Sequence, residues 1–219
     1  MSSSVRASLS APTTRRGRVL ARRPLMSYRT IDLVTPAMLG VALGVAFWGW
    51  DAVYNASSPA VTALFAPLTG LLGGPWLLAG VVGGLMVRRP GAALFTELVA
   101  ASVEAVLGNQ WGWTTLLSGG LQGLGVELVL ALFLWRRFGP AVAMSAGLAS
   151  AVFEVAGYEW WSYYAGYTWS FKLLYLVTFG ISGALIAGLG GLLIVRGLAR
   201  AGAVNAMPPG LEELERTLR

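Results

Sequence analysis

Apolar residues along the chain fall into long blocks, separated by short stretches of charged or turn-forming residues. A helix needs roughly 20 residues to cross a hydrocarbon core of about 30 Å. The blocks predict six membrane-spanning helices, at approximately 31–54, 59–87, 91–108, 113–135, 140–161 and 171–195. The predicted fold class is therefore an all-α integral membrane protein.

The second block contains a local signal of its own. Gly73, Gly74 and Pro75 stand together in its middle. Proline removes a backbone donor and glycine loosens a helix. We therefore expect a break or a re-entrant bend at this point.

The composition agrees with a chain whose solvent is lipid. Apolar residues make up 56% of the sequence and charged residues 12%, against about 25% charged residues in an average soluble domain. The sequence contains no His and no Cys, which excludes disulfides, thiol nucleophiles, imidazole-based triads and His-based metal sites. It also lacks a G-x-x-x-x-G-K-[ST] loop. We therefore expect no enzyme activity, no cofactor and no metal, and any ATP-driven step belongs to another chain.

Basic residues mark every second boundary between the predicted spans. They are Arg29, Arg88, Arg89, Arg136, Arg137, Arg196 and Arg200. Positive charge accumulates on the cytoplasmic side of a membrane, so we predict two cytoplasmic termini in a multi-pass protein of the cell membrane. The net charge of +6 is then a topology signal, and nucleic-acid binding has little support.

The chain divides into three predicted segments. Residues 1–27 are rich in Arg and contain no acid, which predicts a disordered cytoplasmic tail, with Met26 as an alternative start. Residues 28–200 form the six-helix membrane domain. Residues 201–219 form a short cytoplasmic tail, in which 211–219 are expected to make one turn of acidic helix.

Four glutamates fall inside the predicted spans: Glu97, Glu104, Glu127 and Glu154. Ionisable side chains are costly in a bilayer and by default mark a functional site. The helical rise places Glu104 and Glu154 at one depth near the outer surface, about 20 Å from the cytoplasmic ends of their spans. Glu97 and Glu127 come out as a deeper pair, for which an interhelical hydrogen bond is the alternative. Asp51 is interpreted as a residue at the outer end of the first span.

Aromatic and amide side chains surround the outer pair of acids. Glu154, Tyr158 and Trp161 follow helical spacings and form one stripe. The only basic residue available to the four glutamates is Lys172. Carboxylates beside aromatic rings, short of basic partners, suit an aromatic organic cation. An interfacial aromatic belt is the alternative interpretation of the rings.

Small residues form a second pattern on two spans. They are Gly40, Ala42, Gly44 and Ala46 in the first span, and Gly180, Gly183, Ala184, Ala187 and Gly188 in the sixth. Such stripes let helices approach closely. The contact is either with a partner or within the bundle.

The stretch from Arg89 to Gly112, RPGAALFTELVAASVEAVLGNQWG, resembles the YkoE-type substrate-binding (S) component of energy-coupling factor (ECF) transporters. Its L-G-N-Q-W-G element is the specific part, and the resemblance extends over most of residues 28–197. It implies a six-helix S component that captures thiamine or its hydroxymethylpyrimidine precursor from outside. It also implies delivery to a transmembrane coupling subunit driven by two ATPase subunits. In this family an Ala-x-x-x-Ala-like stripe on the first helix meets the coupling subunit, and Ala42 with Ala46 matches it.

The residues and the resemblance together predict a binding site and an interface. The binding residues are Glu97, Glu104, Asn109, Gln110, Trp111, Glu154, Tyr158 and Trp161, and the partner interface is Gly40, Ala42, Gly44 and Ala46. Glu104 and Glu154 would accept hydrogen bonds from the ligand or balance its charge. Asn109 and Gln110 would orient it, and the three rings would stack on it.

Two other functional classes stay open at this point. One is a proton-coupled membrane carrier of small cationic or aromatic solutes, in which the four glutamates form a relay. The other is a membrane scaffold without a ligand, whose acids only form hydrogen bonds between helices.

Overall fold

A computed structural model describes residues 24–218. Within this range the chain is helical and contains no strand, as the hydropathy pattern predicts. We number the helices α1 (Thr30–Phe65), α2 (Leu78–Val87), α3 (Ala92–Leu107), α4 (Thr115–Leu132), α5 (Pro140–Ser162), α6 (Trp169–Arg200) and α7 (Pro208–Thr217). Most of the predicted Arg-rich tail lies outside the described residues.

The first helix is longer than predicted. The predicted boundary between the spans 31–54 and 59–87 is wrong, because α1 continues without interruption to Phe65. Its 36 residues give a length of about 54 Å, which exceeds the hydrocarbon thickness of about 30 Å. Polar residues past Asp51 therefore lie on the C-terminal part of a long helix, and not in a loop between two spans.

The break predicted at Gly73–Pro75 is confirmed. Two short 3-10 segments, Ala66–Leu72 and Gly74–Leu77, return the chain from α1 to α2. Side chains satisfy the backbone of this segment: Ser182 Oγ donates to Leu71 O at 2.6 Å, and Trp50 Nε1 donates to Leu72 O at 3.0 Å. Irregular backbone is tolerated at membrane depth where protein groups complete its hydrogen bonds.

Two helices contain π-helical segments. In α5, Val155–Glu159 is π-helical and Trp160–Ser162 completes the helix. In α6, Gly183–Gly190 is π-helical and Gly191–Arg200 completes the helix. Insertions of this kind widen one helical turn and are frequent at functional sites.

Helix α2 is the centre of the bundle. Every residue from Ala79 to Val87 is buried, so this helix is apolar on all sides, as expected for a fully enclosed element. Residues of α3, α4, α5 and α6 pack around it in one apolar core. The small residues of α6 serve the same packing: a Cβ added at Gly183 would lie 2.5 Å from Gly147 O on α5.

One end of the bundle carries the arginines and α7. Asp32 forms ion pairs with two arginines: its Oδ1 lies 2.7 Å from Arg29 Nη2, and its Oδ2 lies 3.3 Å from Arg89 Nε. Arg88 binds Glu212, which lies on α7. The acidic C-terminal segment is thus a ten-residue helix that contacts the bundle, and is longer than the single turn expected.

Four helical stretches are long and apolar enough to cross a membrane: Thr30–Val87, Gly112–Leu132, Pro140–Ser162 and Trp169–Arg200. The first includes both α1 and α2. Helix α3 has 16 residues and is shorter than a typical span. The count of six spans stays a prediction that requires α2 and α3 to be counted separately.

Candidate functional site

A cavity of about 80 Å³ lies among α1, α3, α4, α5, α6 and the 3-10 segments. Four carboxyl groups line it: Glu97, Glu104, Glu154 and Glu159. Rings and small polar groups form most of the remaining wall, namely Phe47, Tyr54, Thr69, Trp76, Trp111, Thr115, Ser118, Gln122, Tyr163, Tyr164, Tyr175 and Phe179.

Glu104 is held by the turn that follows α3. Asn109 Nδ2 donates to Glu104 Oε1 at 2.9 Å and to Thr115 Oγ1 at 2.7 Å. Asn109 Oδ1 accepts from the backbone N–H groups of Trp111 and Gly112. Gly108 and Gly112 have φ values of 90° and 60°, which glycine adopts at little cost. The predicted residue Asn109 therefore positions Glu104 from behind the cavity wall, and the L-G-N-Q-W-G element acts as its support.

Asp51 contacts the cavity residue Trp76. It is only 6% exposed, because α1 continues past it and buries it against neighbouring elements. Trp76, which lines the cavity, donates through Nε1 to Asp51 Oδ1 at 3.0 Å. The interpretation of Asp51 as a simple boundary residue is wrong.

Glu97 forms the deep end of the cavity. Its Oε2 accepts from Gly80 N of α2 at 2.5 Å. When the Gln122 amide is oriented so that its nitrogen donates, it reaches Glu97 Oε1 and Trp76 O, both at 3.3 Å. Both oxygens of the Glu97 carboxyl group thus accept hydrogen bonds from the protein, unlike those of Glu154 and Glu159.

Glu154 and Glu159 each have one carboxyl oxygen that receives no hydrogen bond from the described residues. Ser118 Oγ donates to Glu154 Oε1 at 2.7 Å. Glu154 Oε2 and Glu159 Oε2 are buried and have no hydrogen-bond partner among the described residues. A buried acceptor without a donor costs about 1–3 kcal/mol. Both residues line one cavity, so these two oxygens are acceptors that the described residues leave unpaired.

The π-helical segment explains why Glu159 joins Glu154 in the cavity. Residues five apart lie well apart around an α-helix but close to one face of a π-helix, whose hydrogen bonds join residues i and i+5. The α-helical stripe from Glu154 predicted Tyr158 and Trp161 instead. Among the described residues neither lines the cavity: Tyr158 packs on Tyr163, and Trp161 is 59% exposed.

The aromatic wall has two parts. Tyr54, Trp76 and Trp111 form one cluster, with ring centroids 5.1–5.8 Å apart. Tyr164 and Tyr175 form the other, with centroids 4.6 Å apart. Burial raises the pKa of the Tyr164 phenol, so its hydroxyl group keeps its proton. Both clusters stand beside carboxyl groups, an arrangement that favours cationic ligands.

The predicted polar residue Gln110 lies outside this arrangement. It is exposed and, in the described part of the chain, is not among the residues that line the cavity. Its neighbour Trp111 does line it. The two residues point apart because the turn is fixed by Asn109 between the two positive-φ glycines.

The cavity acids have no ion-pair partner within the described residues. The salt bridges of this part of the chain involve Asp32, Glu212 and Glu213. Lys172 Nζ lies over the rings of Trp161 and Trp169, at 5.4 and 5.1 Å from their centroids. The lysine therefore contacts aromatic rings and forms no ion pair with a cavity acid among the described residues.

Glu127 has a structural role. Its Oε1 accepts from Ala93 N at 2.8 Å and so caps the first turn of α3. A carboxylate at a helix N-terminus is stabilised by the free N–H groups and the helix dipole. The two glutamates of the deeper pair have different contacts: Glu127 binds the first turn of α3, about one turn before Glu97, and among the described residues only Glu97 of the two lines the cavity.

The predicted interface residues divide into two groups. A Cβ added at Gly40 would lie 2.8 Å from Thr96 O, and one at Gly44 would lie 2.5 Å from Ala100 O. These glycines form the internal contact between α1 and α3, so they are not available to a partner. Ala42 and Ala46 are exposed on the other side of α1.

Comparisons with known proteins agree on one family. Residues 31–153 match the model of the family described as "ABC-type cobalt transport system, permease component". The chain is 32% identical over 189 residues to a Bacillus subtilis (strain 168) protein named as an HMP/thiamine permease, YkoE, covering 86% of this chain and 93% of that protein. It is also similar to a crystal structure of an S-component of an ECF transporter, with a TM-score of 0.79, 33% identity, and coverage of 87% and 95% of the two chains.

Proposed function

Because this chain belongs to the family of ECF transporter S components, we propose that it captures thiamine or its hydroxymethylpyrimidine precursor from the outer side of the membrane. The family and the apolar helices make it a multi-pass protein of the cell membrane. Its relatives are transport components and not enzymes. The work of the chain is therefore binding and release.

One observation supports the proposed ligand most strongly. The cavity holds two buried carboxylate oxygens without donors, on Glu154 and Glu159, and no salt bridge of the described residues reaches them. Thiamine has an aminopyrimidine that donates hydrogen bonds and a cationic thiazolium. Its amino group suits a carboxylate acceptor, and its cationic ring suits an aromatic wall.

A metal ion is a poorer fit than an organic cation. The described residues contain no group of three His, Cys, Asp or Glu side chains placed to hold a metal. Cobalt sites use nitrogen or sulfur ligands readily, and the sequence has neither His nor Cys. The described cavity therefore suits an organic cation better than a cobalt ion.

A ligand panel tests this proposal. Thiamine, hydroxymethylpyrimidine, riboflavin and biotin are added to the purified chain in detergent, and the melting temperature is measured. A ligand at 100 times its Kd stabilises by about 2.7 kcal/mol, so thiamine or hydroxymethylpyrimidine should raise the melting temperature by several degrees. Absence of a shift with both, or equal shifts with all four vitamins, would overturn the proposal.

The exposed face of α1 is proposed to meet the coupling subunit. Ala42 and Ala46 are exposed, and a Cβ at Gly49 on the same side would have nothing within 4 Å. Small side chains let a second helix approach closely. Ala46→Trp should prevent co-purification with a co-expressed coupling subunit and two ATPase subunits, while the thermal shift with the ligand is unchanged. Leu128→Trp, on an exposed position of α4, is the control that should still assemble.

Six spans with two cytoplasmic termini are also part of the proposal. Arg29, Arg88 and Arg89 lie at one end of the bundle and contact residues near both ends of the described chain, which supports a common cytoplasmic side. The cysteine-free sequence permits single-cysteine labelling. Gly166→Cys should react with an impermeant thiol reagent in intact cells, and Ala203→Cys only after lysis. The reverse pattern would refute the orientation.

A further inference from the structure

Lys172, near the start of α6, is a buried cation without an acidic partner. The residue is 5% exposed, and no salt bridge of residues 24–218 includes it. A buried charge is costly unless other groups compensate for its lost hydration. Its position does not stabilise the helix either, because a positive charge near a helix N-terminus opposes the helix dipole. The stability of α6 therefore does not explain this lysine.

Two tryptophans and one carbonyl group contact the ammonium group. Lys172 Nζ lies 5.4 Å from the ring centroid of Trp161 and 5.1 Å from that of Trp169, within the limit of about 6 Å for a cation–π interaction. The same Nζ donates to Ala165 O at 3.4 Å. Trp161 belongs to α5, Trp169 belongs to α6, and Ala165 belongs to the connecting segment 163–168. The lysine side chain thus contacts both helices and the segment between them.

The main chain of Lys172 has a separate contact with α5. Trp160 Nε1 donates to Lys172 O at 3.2 Å, and the ring centroids of Trp160 and Trp169 lie 5.5 Å apart. Only the side-chain contacts of Lys172 depend on its charge. A substitution can therefore remove those contacts while the main-chain contact remains.

The connecting segment supplies part of the cavity wall. Tyr164 lines the cavity, and its ring centroid lies 4.6 Å from that of Tyr175. Apart from Tyr164 the segment is exposed, and one backbone hydrogen bond joins two of its residues, from Tyr167 N to Tyr164 O at 3.1 Å. An exposed segment with few internal bonds needs other contacts to keep one position. Lys172 provides such a contact at Ala165, which directly follows Tyr164.

We propose that Lys172 is a positioning residue of the binding site, whose ammonium group holds the segment 163–168 so that Tyr164 stays in the cavity wall. In the described part of the chain Lys172 is not among the residues that line the cavity, so it acts through Tyr164. Trp161, which the sequence predicts to stack on the ligand, contacts the lysine. This inference rests on the proposed function for its ligand, and on the contacts of Lys172 for the position of the segment.

Hydrogen exchange of the ligand-free protein tests the position of the segment. Lys172→Met keeps the length of the side chain and removes its charge and its donor, so amides of 163–168 should exchange at least about fivefold faster than in the wild type. Lys172→Arg keeps a cation that stacks on indole rings and should restore most of the protection. Exchange in the turn at 108–114 should be the same in all three proteins.

Three results of this measurement would overturn the proposal. They are unchanged exchange in Lys172→Met, equal exchange in Lys172→Met and Lys172→Arg, and faster exchange of Lys172→Met in both regions, since the last would show a general loss of structure. The comparison needs no ligand, so its outcome does not depend on the choice of thiamine.

Calorimetry with thiamine tests the consequence for the site. The Kd of Lys172→Met should rise at least about threefold, and that of Lys172→Arg should stay near the wild-type value. Arg196→Met is the matched control, because it removes an exposed cation from the other end of the same helix and should bind like the wild type. Wild-type affinity in Lys172→Met, or an equal loss in Arg196→Met, would overturn the positioning role. The expected exchange pattern without any thiamine binding by the wild type would refute only the proposed function.

Discussion

The two ends of the bundle treat buried acids differently. At the α7 end, Asp32 is 1% exposed and is paired with both Arg29 and Arg89, and Glu127 caps α3. At the cavity, Glu154 is 2% exposed and Glu159 is partly exposed, and each has a buried oxygen without a hydrogen-bond partner among the described residues. Acidic side chains whose oxygens all have partners within the chain stabilise the fold. Acidic side chains with an unpaired oxygen are the ones that we propose bind a ligand.

This contrast predicts that the same chemical change has opposite consequences at the two ends. Removing a charge at the α7 end should lower stability and leave affinity unchanged. Removing a charge in the cavity should lower affinity and leave stability nearly unchanged, because burying an unpaired charge is itself costly.

The largest effect is expected for Asp32→Asn. The substitution leaves two arginines without their acid, and breaking a buried ion pair costs about 3–5 kcal/mol. We expect a value near the low end, since Arg29 is 30% exposed. The melting temperature of the ligand-free protein should fall by several degrees, while thiamine affinity by calorimetry should match the wild type. A loss of affinity without a loss of stability would break the comparison.

The next effect is expected for Glu154→Gln. The variant loses the charge at an incomplete acceptor, and charge-assisted hydrogen bonds contribute about 1.5–3 kcal/mol, so thiamine should bind about 10-fold to 100-fold more weakly. The ligand-free melting temperature should not fall. Glu127→Gln is the matched control, because it alters another intramembrane glutamate but should leave affinity unchanged. Equal affinities of the two variants would remove the proposed role of Glu154.

A glycine pair on α1 tests packing without any charge. Gly44→Ala brings a methyl group to 2.5 Å from Ala100 O, whereas Gly49→Ala meets nothing within 4 Å. Overpacking costs about 1–3 kcal/mol, so Gly44→Ala should lower the melting temperature and Gly49→Ala should not. If both variants have the melting temperature of the wild type, the contact between α1 and α3 is looser than the structure shows.

The smallest effect is expected for Asn109→Ala. This change removes the side chain that ties Glu104 to the turn, and a hydrogen bond to a charged group is involved, so we expect a loss of about 1–2 kcal/mol in binding. Gln110→Ala, on the exposed neighbour, should bind thiamine like the wild type. A larger loss for Gln110→Ala than for Asn109→Ala would contradict the arrangement of the turn.

Much of the site follows from the sequence because buried charge is costly. Glu97, Glu104 and Glu154 lie within apolar blocks, where an ionisable side chain is energetically costly, so the sequence alone identifies them as candidate site residues. All three line one cavity. Depth alone did not separate Glu127 from them. The helical rise gives the height of a residue, but its surroundings depend on how neighbouring helices are rotated.

The positions of Asp51 and Glu159 depend on structural features that the periodicity of the sequence does not show. Asp51 lies 25 positions before its partner Trp76, and the hydropathy pattern places it at the end of the first span because it does not show that α1 continues to Phe65. Glu159 enters the cavity because five residues of α5 are π-helical, and an α-helical spacing assigns its place to Tyr158 and Trp161. The one usable signal was the Gly73–Pro75 break, which directly precedes the cavity residue Trp76.

The most direct test of the account is a high-resolution structure of the protein with thiamine. We expect the vitamin in the cavity, with a nitrogen donor at hydrogen-bonding distance from Glu104 or from the free oxygens of Glu154 and Glu159, and a ring beside Trp111 or Tyr164. An empty cavity at saturating thiamine, or a structure in which those oxygens bond to each other while the vitamin binds elsewhere, would contradict it.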